Sequence, residues 1–177
     1  MFKLFKKQSQ DYYKQATPKS LVVLHYTGGG TLAGAEATLS IRDYVNVHYA
    51  IDRDGTVIQY FDEAYWAYHT GKGRKIDKYS IGIEVVNWGH LTRKGNELLT
   101  WTGKSIPWPD VVKCKRFRGF QYWQSLTEQQ ESALTGLLEQ IQARHPGIRV
   151  CTHASLNKYK LDYPPDYPLI KDLVTHD

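Results

Sequence analysis

"LVVLHYTGGG", residues 21–30, is the stretch whose reading decides the fold. Leu21 to Leu24 form a nearly continuous apolar run, the pattern of a buried strand, and the glycines after Thr27 close it with a tight turn. His25 stands at the C-terminal end of that strand, where functional side chains of α/β folds gather. Downstream, Leu32, Ala35 and Leu39 recur at helical spacing and predict a short helix packed on a sheet. "VNVHYAI" (45–51) alternates apolar and polar residues, "DRDG" (52–55) supplies a turn, and "TVIQYF" (56–61) completes a β-hairpin. "SIGIEVV" (80–86) reads as a further strand, and its Glu84 is a carboxylate in an apolar setting that needs a partner or a task.

Towards the C-terminus, "TEQQESALTGLLEQIQARH" (127–145) places Thr127 and Gln130 at capping-box spacing and Leu134, Leu137, Leu138 and Ile141 on one face. Pro146-Gly147 stops this helix, and "IRVCTH" (148–153) follows as a last strand. Strands and helices alternate, so the expected fold is α/β, a single domain with a mixed central β-sheet flanked by α-helices. Residues 1–18 read as a basic N-terminal arm, loose or a short surface helix, ahead of a domain spanning 19–177. Residues 87–124 read as an irregular aromatic and basic insertion: they hold Trp88, Trp101, Trp108 and Trp123, and Pro107 and Pro109 interrupt long regular elements.

The 177 residues suit one domain, and 41% hydrophobic with 23% charged residues is an ordinary globular composition. The net charge of +5 favours an anionic partner or is plain surface charge, with clusters at Lys3, Lys6, Lys7 and Lys14 and at Lys113, Lys115, Arg116 and Arg118. Two cysteines, Cys114 and Cys151, exclude a dense disulfide framework and leave room for one bridge; Cys151 lies within a strand and reads as a small buried hydrophobe. The first residues are basic without an apolar core behind them, so no secretory signal is read, and no run approaches a membrane span. The expected location is therefore the cytoplasm as synthesised.

His25 and His153 each end an inferred strand, and Asp162 closes the loop that His153 opens. A His, His, Asp set suits an open catalytic zinc site, with Glu84 as a base for water and Lys160 as a cation for a developing oxyanion. By residue type alone the same groups also suit hydrogen-bonded histidines, a surface aspartate, an ion pair of Glu84 with Arg53 or Lys75, and a solvated Lys160.

"VVLHYTGG", "VHYAIDRDGTVIQY", "AYHTGKG", "YSIGIEVVN" and "CTHASLNKYKLDYPP" resemble, in that order, the successive motifs of the zinc-dependent N-acetylmuramoyl-L-alanine amidases, a family that includes phage lysozyme-type amidases, bacterial wall amidases and peptidoglycan recognition proteins. The resemblance covers roughly residues 20 to 170. It implies zinc as cofactor, with His25, His153 and Asp162 as ligands, Lys160 near the scissile carbonyl and Glu84 as general base. It also places His48, Tyr49 and His69 as pocket lining and substrate contacts, with a structural role weighed for His48. The nine-residue step from His153 to Asp162 is one shorter than the family's usual step, which keeps Asp166 as a reserve third ligand. The Lys-x-Asp pattern and the following Pro164-Pro165 favour Asp162.

What the resemblance implies about activity is hydrolysis of the amide between N-acetylmuramic acid and L-alanine of the stem peptide. The expected partner is peptidoglycan or a muropeptide, not nucleic acid, and the expected state is a monomer. A phage endolysin acting on the wall after release is the expected role, with electrostatic contact of the arm to an anionic envelope. The alternatives are a cytoplasmic amidase that recycles muropeptides and a peptidoglycan-binding module without activity.

Overall fold

The computed structural model describes residues 2–39 and 41–175; Met1, Ser40, His176 and Asp177, which include the outer ends of the expected arm and domain, lie outside the described residues. Its centre is a six-stranded sheet built from β1 (Leu4–Lys6), β2 (Leu21–Tyr26), β3 (Tyr49–Ile51), β4 (Val57–Gln59), β5 (Ser80–Val85) and β10 (Arg149–Thr152). The order is β1-β4-β3-β5-β2-β10. β3 and β4 form the antiparallel hairpin, while β3, β5, β2 and β10 run parallel, so the sheet is mixed. The hairpin is shorter than its alternating pattern suggested, and its turn depends on Gly55. That residue has φ 81, and a Cβ there would sit 2.7 Å from the main-chain oxygen of Gln129.

Period-two alternation sorts the strands into two faces. Val22, Leu24, Ile51, Ile81, Ile83 and Val85 face α3 (Glu128–Arg144), whose Leu134, Leu137, Leu138 and Ile141 complete the main core. Each such buried aliphatic side chain contributes roughly 2 kcal/mol. Both halves of the capping box form: Thr127 Oγ1 accepts from Gln130 N at 3.1 Å and Gln130 Oε1 accepts from Thr127 N at 3.2 Å. On the opposite face, α1 (Leu32–Leu39) buries Ala35, and Leu32 and Leu39 pack on a cluster of Tyr12, Val47, Ala50, Ile58, Tyr60, Phe61 and Ala67.

Two expectations are corrected. Residues 87–124, read as irregular, form a second, antiparallel sheet of four strands in the order β7-β6-β9-β8: β6 (His90–Lys94), β7 (Glu97–Leu99), β8 (Val111–Phe117) and β9 (Phe120–Gln124). Pro107 and Pro109 lie outside the strands, around a 3-10 turn at Trp108–Asp110, so they interrupt nothing. Trp123 and Cys114 of this sheet enter the main core, which joins both sheets into one domain. Cys114 is buried and Cys151 half-buried, and both are free thiols.

The N-terminal residues are not a loose arm. Leu4, Phe5 and Lys6 pair in parallel with Val57, Ile58 and Gln59, covering the edge of β4. All three side chains stay exposed, so the strand is held by its main chain and leaves no apolar alternation to read. Tyr12 then stacks on Phe61 with ring centroids 4.7 Å apart, and Tyr13 stacks on Trp66 at 4.1 Å. Among the described residues no helix is long and apolar enough to cross a membrane. Replacing Tyr12 by alanine should lower the unfolding free energy by about 3 kcal/mol in urea denaturation, the cost of a buried aromatic; an unchanged midpoint would show that the segment is not part of the cooperative fold.

Candidate metal centre and active site

Register brings the sequence-remote groups together. His25 of β2 lies beside Glu84 of β5, both on the sheet face turned away from α3. Thr152 of β10 pairs with Leu24, so His153 follows level with His25. His153 opens the short helix α4 (His153–Leu156), where Thr152 accepts from Ser155 N at 3.2 Å and turns the chain sharply off the strand. The chain then loops back to Asp162, whose Oδ1 accepts from Tyr26 N at 3.1 Å, at the end of β2. One ligand atom from each of His25, His153 and Asp162 falls within 4.8 Å of the other two, and all three residues are buried.

The hydrogen bonds around this cluster show which atoms are available. His153 Nε2 donates to Thr70 O at 2.8 Å, because a carbonyl only accepts, so the neutral ring has a bare lone pair on Nδ1. His25 Nδ1 faces that lone pair at 2.8 Å. A proton on His25 Nδ1 makes this contact a hydrogen bond. With the proton on Nε2 instead, His69 Nδ1 accepts it at 2.9 Å and His69 Nε2 donates to Ser80 Oγ at 2.8 Å. Both Nδ1 atoms then carry bare lone pairs 2.8 Å apart, with Asp162 Oδ2 3.5 Å from His153 Nδ1. Tetrahedral zinc with bonds of about 2.0 Å holds its donors about 3.3 Å apart, so this donor set fits it. Each ligand's other polar atom is tied to a neighbour, as metal ligands require.

Electrostatics agree with this assignment. Burial, then the neighbouring His69 and His153, hold His25 well below the ordinary imidazole value, and burial lowers His153 against the pull of Asp162. His69 is pushed down to about 3, by burial first and His153 second. The three rings are therefore neutral near pH 7 and able to offer lone pairs. Glu84 is driven well above the usual carboxylate range by burial and by the charge of Asp162, and its Oε2 is buried with no hydrogen-bond partner among the described residues. A cation at the ligand cluster relieves that penalty. Lys160 is exposed on the loop two residues before Asp162, and its charge acts on Glu84, Asp162 and both ligand histidines.

The remaining sequence candidates lie elsewhere. Asp166 accepts from Lys115 N at 2.7 Å and takes no part in the cluster, so the shortened step still delivers Asp162. His48 is fully buried, and both its ring nitrogens are taken within the fold, by Tyr65 O at 3.0 Å and Gly82 N at 3.1 Å, which matches the structural role weighed for it. Tyr49 points to the α3 face, the wrong side of the sheet, where its hydroxyl donates to Glu63 at 2.6 Å. Glu63 also holds Arg144 and His145 at the end of α3. His69 is buried behind His25 rather than lining a pocket, because Ser80 and His25 occupy its two nitrogens.

Sequence reasoning missed four contributors: the carbonyl of Thr70, Ser80, Asp77 and Arg118. Asp77 is fully buried and accepts from Thr70 N at 3.0 Å and Thr70 Oγ1 at 2.7 Å, which fixes the turn that presents Thr70 O to His153. A backbone carbonyl has no sequence signature; a lone aspartate between Ile76 and Lys78 is a weak one.

The sequence matches the family model for N-acetylmuramoyl-L-alanine amidase over residues 15–165. No curated protein sequence matches it. Among solved structures, AmpD superposes with a TM-score of 0.60 at 22% identity, covering 96% of this chain and 93% of that one. The N-acetylmuramyl-L-alanine amidase AmiD from E. coli gives 0.61 at 24% identity, over 96% of this chain and 62% of that one. The Ph2119 endolysin from the Thermus scotoductus MAT2119 bacteriophage Ph2119 gives 0.56 at 16% identity, over 88% of each chain. These likenesses show a shared fold, and the family match spans most of the sequence together with the strand ends that carry His25 and Glu84 and the segment that carries His153 and Asp162: the chain belongs to the N-acetylmuramoyl-L-alanine amidase family.

Proposed function

We propose that this protein is a zinc-dependent peptidoglycan amidase that cleaves the bond between N-acetylmuramic acid and the L-alanine of the stem peptide. The observation that carries the reading is the cluster of His25, His153 and Asp162, with His153 Nδ1 2.8 Å from His25 Nδ1 and 3.5 Å from Asp162 Oδ2, on the sheet face that also carries the unpartnered Oε2 of Glu84. AmiD, of the same fold, is described in complex with the substrate anhydro-N-acetylmuramic acid-L-Ala-D-gamma-Glu-L-Lys, which supports a muropeptide as ligand here.

His25, His153 and Asp162 would hold the zinc, which would supply Lewis-acid charge for the scissile carbonyl and the attacking water. Glu84, adjacent to His25 and with a free oxygen, accepts the proton of that water. It then passes the proton to the alanine nitrogen as the C–N bond breaks, leaving a lactyl carboxylate and a free amine. Lys160 faces the negative charge that grows on the carbonyl oxygen. His69 and Ser80 keep the His25 ring oriented, and Thr70 O does the same for His153.

A binding-only module is disfavoured because all three ligand positions and the base are present. Within the amidase reading we propose the lytic, endolysin-type role, made in the cytoplasm and acting on the wall after release. Its support is the basic charge on the surface, with Lys3 and Lys6 exposed along β1. Because these residues are paired into the sheet, they act as a charged edge and not as a tether.

Dialysis against a chelator and back-titration with zinc should show one tight site in the wild type. Asp162→Asn should weaken that site, and Asp166→Asn should leave it unchanged; the reverse result would move the third ligand to Asp166. Glu84→Gln should retain zinc and lower release of stem peptides by about 10²–10⁴, and Lys160→Ala by about 10²–10³. Mass spectrometry of products from intact sacculi and from soluble muropeptides decides the role. Faster release from sacculi supports the lytic enzyme, exclusive action on soluble fragments overturns it in favour of recycling, and no release from either overturns the amidase reading.

A further inference from the structure

The segment that carries Lys160 and Asp162 is held from above by the β8–β9 hairpin. Arg118 occupies the tip of that hairpin with φ 49, a left-handed conformation that a non-glycine residue adopts only under constraint. Its guanidinium reaches across to three main-chain oxygens of the neighbouring segment. Nη2 donates to Ala154 O at 2.9 Å, and Nη1 donates to Asn157 O at 3.1 Å and to Lys160 O. A second strut runs beside it, from Lys115 N of β8 to Asp166 Oδ2 at 2.7 Å.

These contacts bracket the site. Ala154 follows the ligand His153, Lys160 precedes the ligand Asp162 by two residues, and Asn157 lies between them. From Asn157 to Asp162 the chain is neither helix nor strand, so no ladder sets its path. Its two ends are tied to the rest of the fold, Asn157 Nδ2 donating to Thr70 O at 3.3 Å and Tyr26 N to Asp162 Oδ1 at 3.1 Å, while between them the bonds are local: Lys160 N donates to Asn157 O at 2.9 Å and Tyr159 N to Asn157 Oδ1 at 3.2 Å. The planar guanidinium, with several N–H groups diverging from one rigid centre, satisfies three carbonyls at once; a lysine ammonium in the same place presents one compact charge.

We propose that Arg118 is a positioning residue: it gathers the carbonyls of Ala154, Asn157 and Lys160 so that the Lys160 amine and the Asp162 carboxylate are presented together at the metal centre. The second sheet is thereby the clamp of the catalytic loop, a role that rests on the amidase reading for its chemistry but not for its geometry. Because Arg118 and Lys158 to Lys160 are exposed, water replaces the guanidinium when it is lost, and the cost falls on loop order more than on global stability.

The test compares wild type with Arg118→Ala and Arg118→Lys by hydrogen exchange of residues 154–162, by zinc affinity in chelator competition, and by kcat and KM on muropeptide. Both variants should keep the near-ultraviolet circular dichroism of the tryptophans. Each should exchange the loop amides at least about 10-fold faster and bind zinc about 10- to 100-fold more weakly. Kcat should fall with little change in KM, and millimolar methylguanidinium should restore slow exchange to Arg118→Ala. Wild-type exchange and zinc affinity in Arg118→Lys would overturn the proposal, since charge alone would then suffice. Wild-type values in Arg118→Ala would overturn it too, and if that variant does not fold the lysine variant decides. An inactive wild type would sink the amidase reading while leaving the exchange and zinc comparison able to decide the role of Arg118.

Discussion

His25 Nδ1 and His153 Nδ1 face each other at 2.8 Å, and the second of these carries a lone pair because Thr70 O takes the ring's only proton. Most of the architecture around the site serves to maintain that encounter. β2 and β10 are parallel neighbours in register, which sets the two histidines level. Asp77 fixes the turn that offers Thr70 O, and His69 with Ser80 braces the other ring. The arrangement has a proton between the rings or a cation at the cluster, and the three neutral imidazoles and the unpartnered Glu84 oxygen are suited to the second.

The two faces of the central sheet divide the labour. The α3 face is apolar and supplies cohesion, closed at one end by the capping box and at the other by Glu63 with Tyr49, Arg144 and His145. The opposite face carries His25 and Glu84 towards the strand ends, away from the apolar face of α3 and beside His153 and Asp162. The second sheet links the two roles: Trp123 and Cys114 anchor it in the main core, while Arg118 reaches out to the loop that completes the site. The N-terminal strand closes the far edge of the sheet with main-chain bonds and leaves its lysines on the surface.

Much of this was legible in the residues. The run Leu21 to Leu24, the strand around Glu84 and the capped helix from Thr127 have local periodicities that survive folding, because each buries one face against the same core. The clustering of His25, His153 and Asp162 was legible through strand ends and the family's motif order. The second sheet was not, because most of its residues are exposed or half-exposed, with burial concentrated in a few residues such as Leu91, Leu98 and Trp123. The orientations of Tyr49 and His69 were not legible for a different reason: a motif records that a residue type recurs, not which way its side chain points.

The sequence by itself therefore determined the strands from β2 to β5, the capped helix, the last strand and the three groups suited to hold a metal, since these depend on local pattern and residue chemistry. Only the tertiary structure decided that Asp162 and not Asp166 meets the histidines, that Glu84 shares their face while Tyr49 does not, and that the basic first residues belong to the sheet. The physical reason is common to all three. Each depends on register and on main-chain hydrogen bonds between segments far apart in the chain, and main-chain atoms are the same whatever the residue.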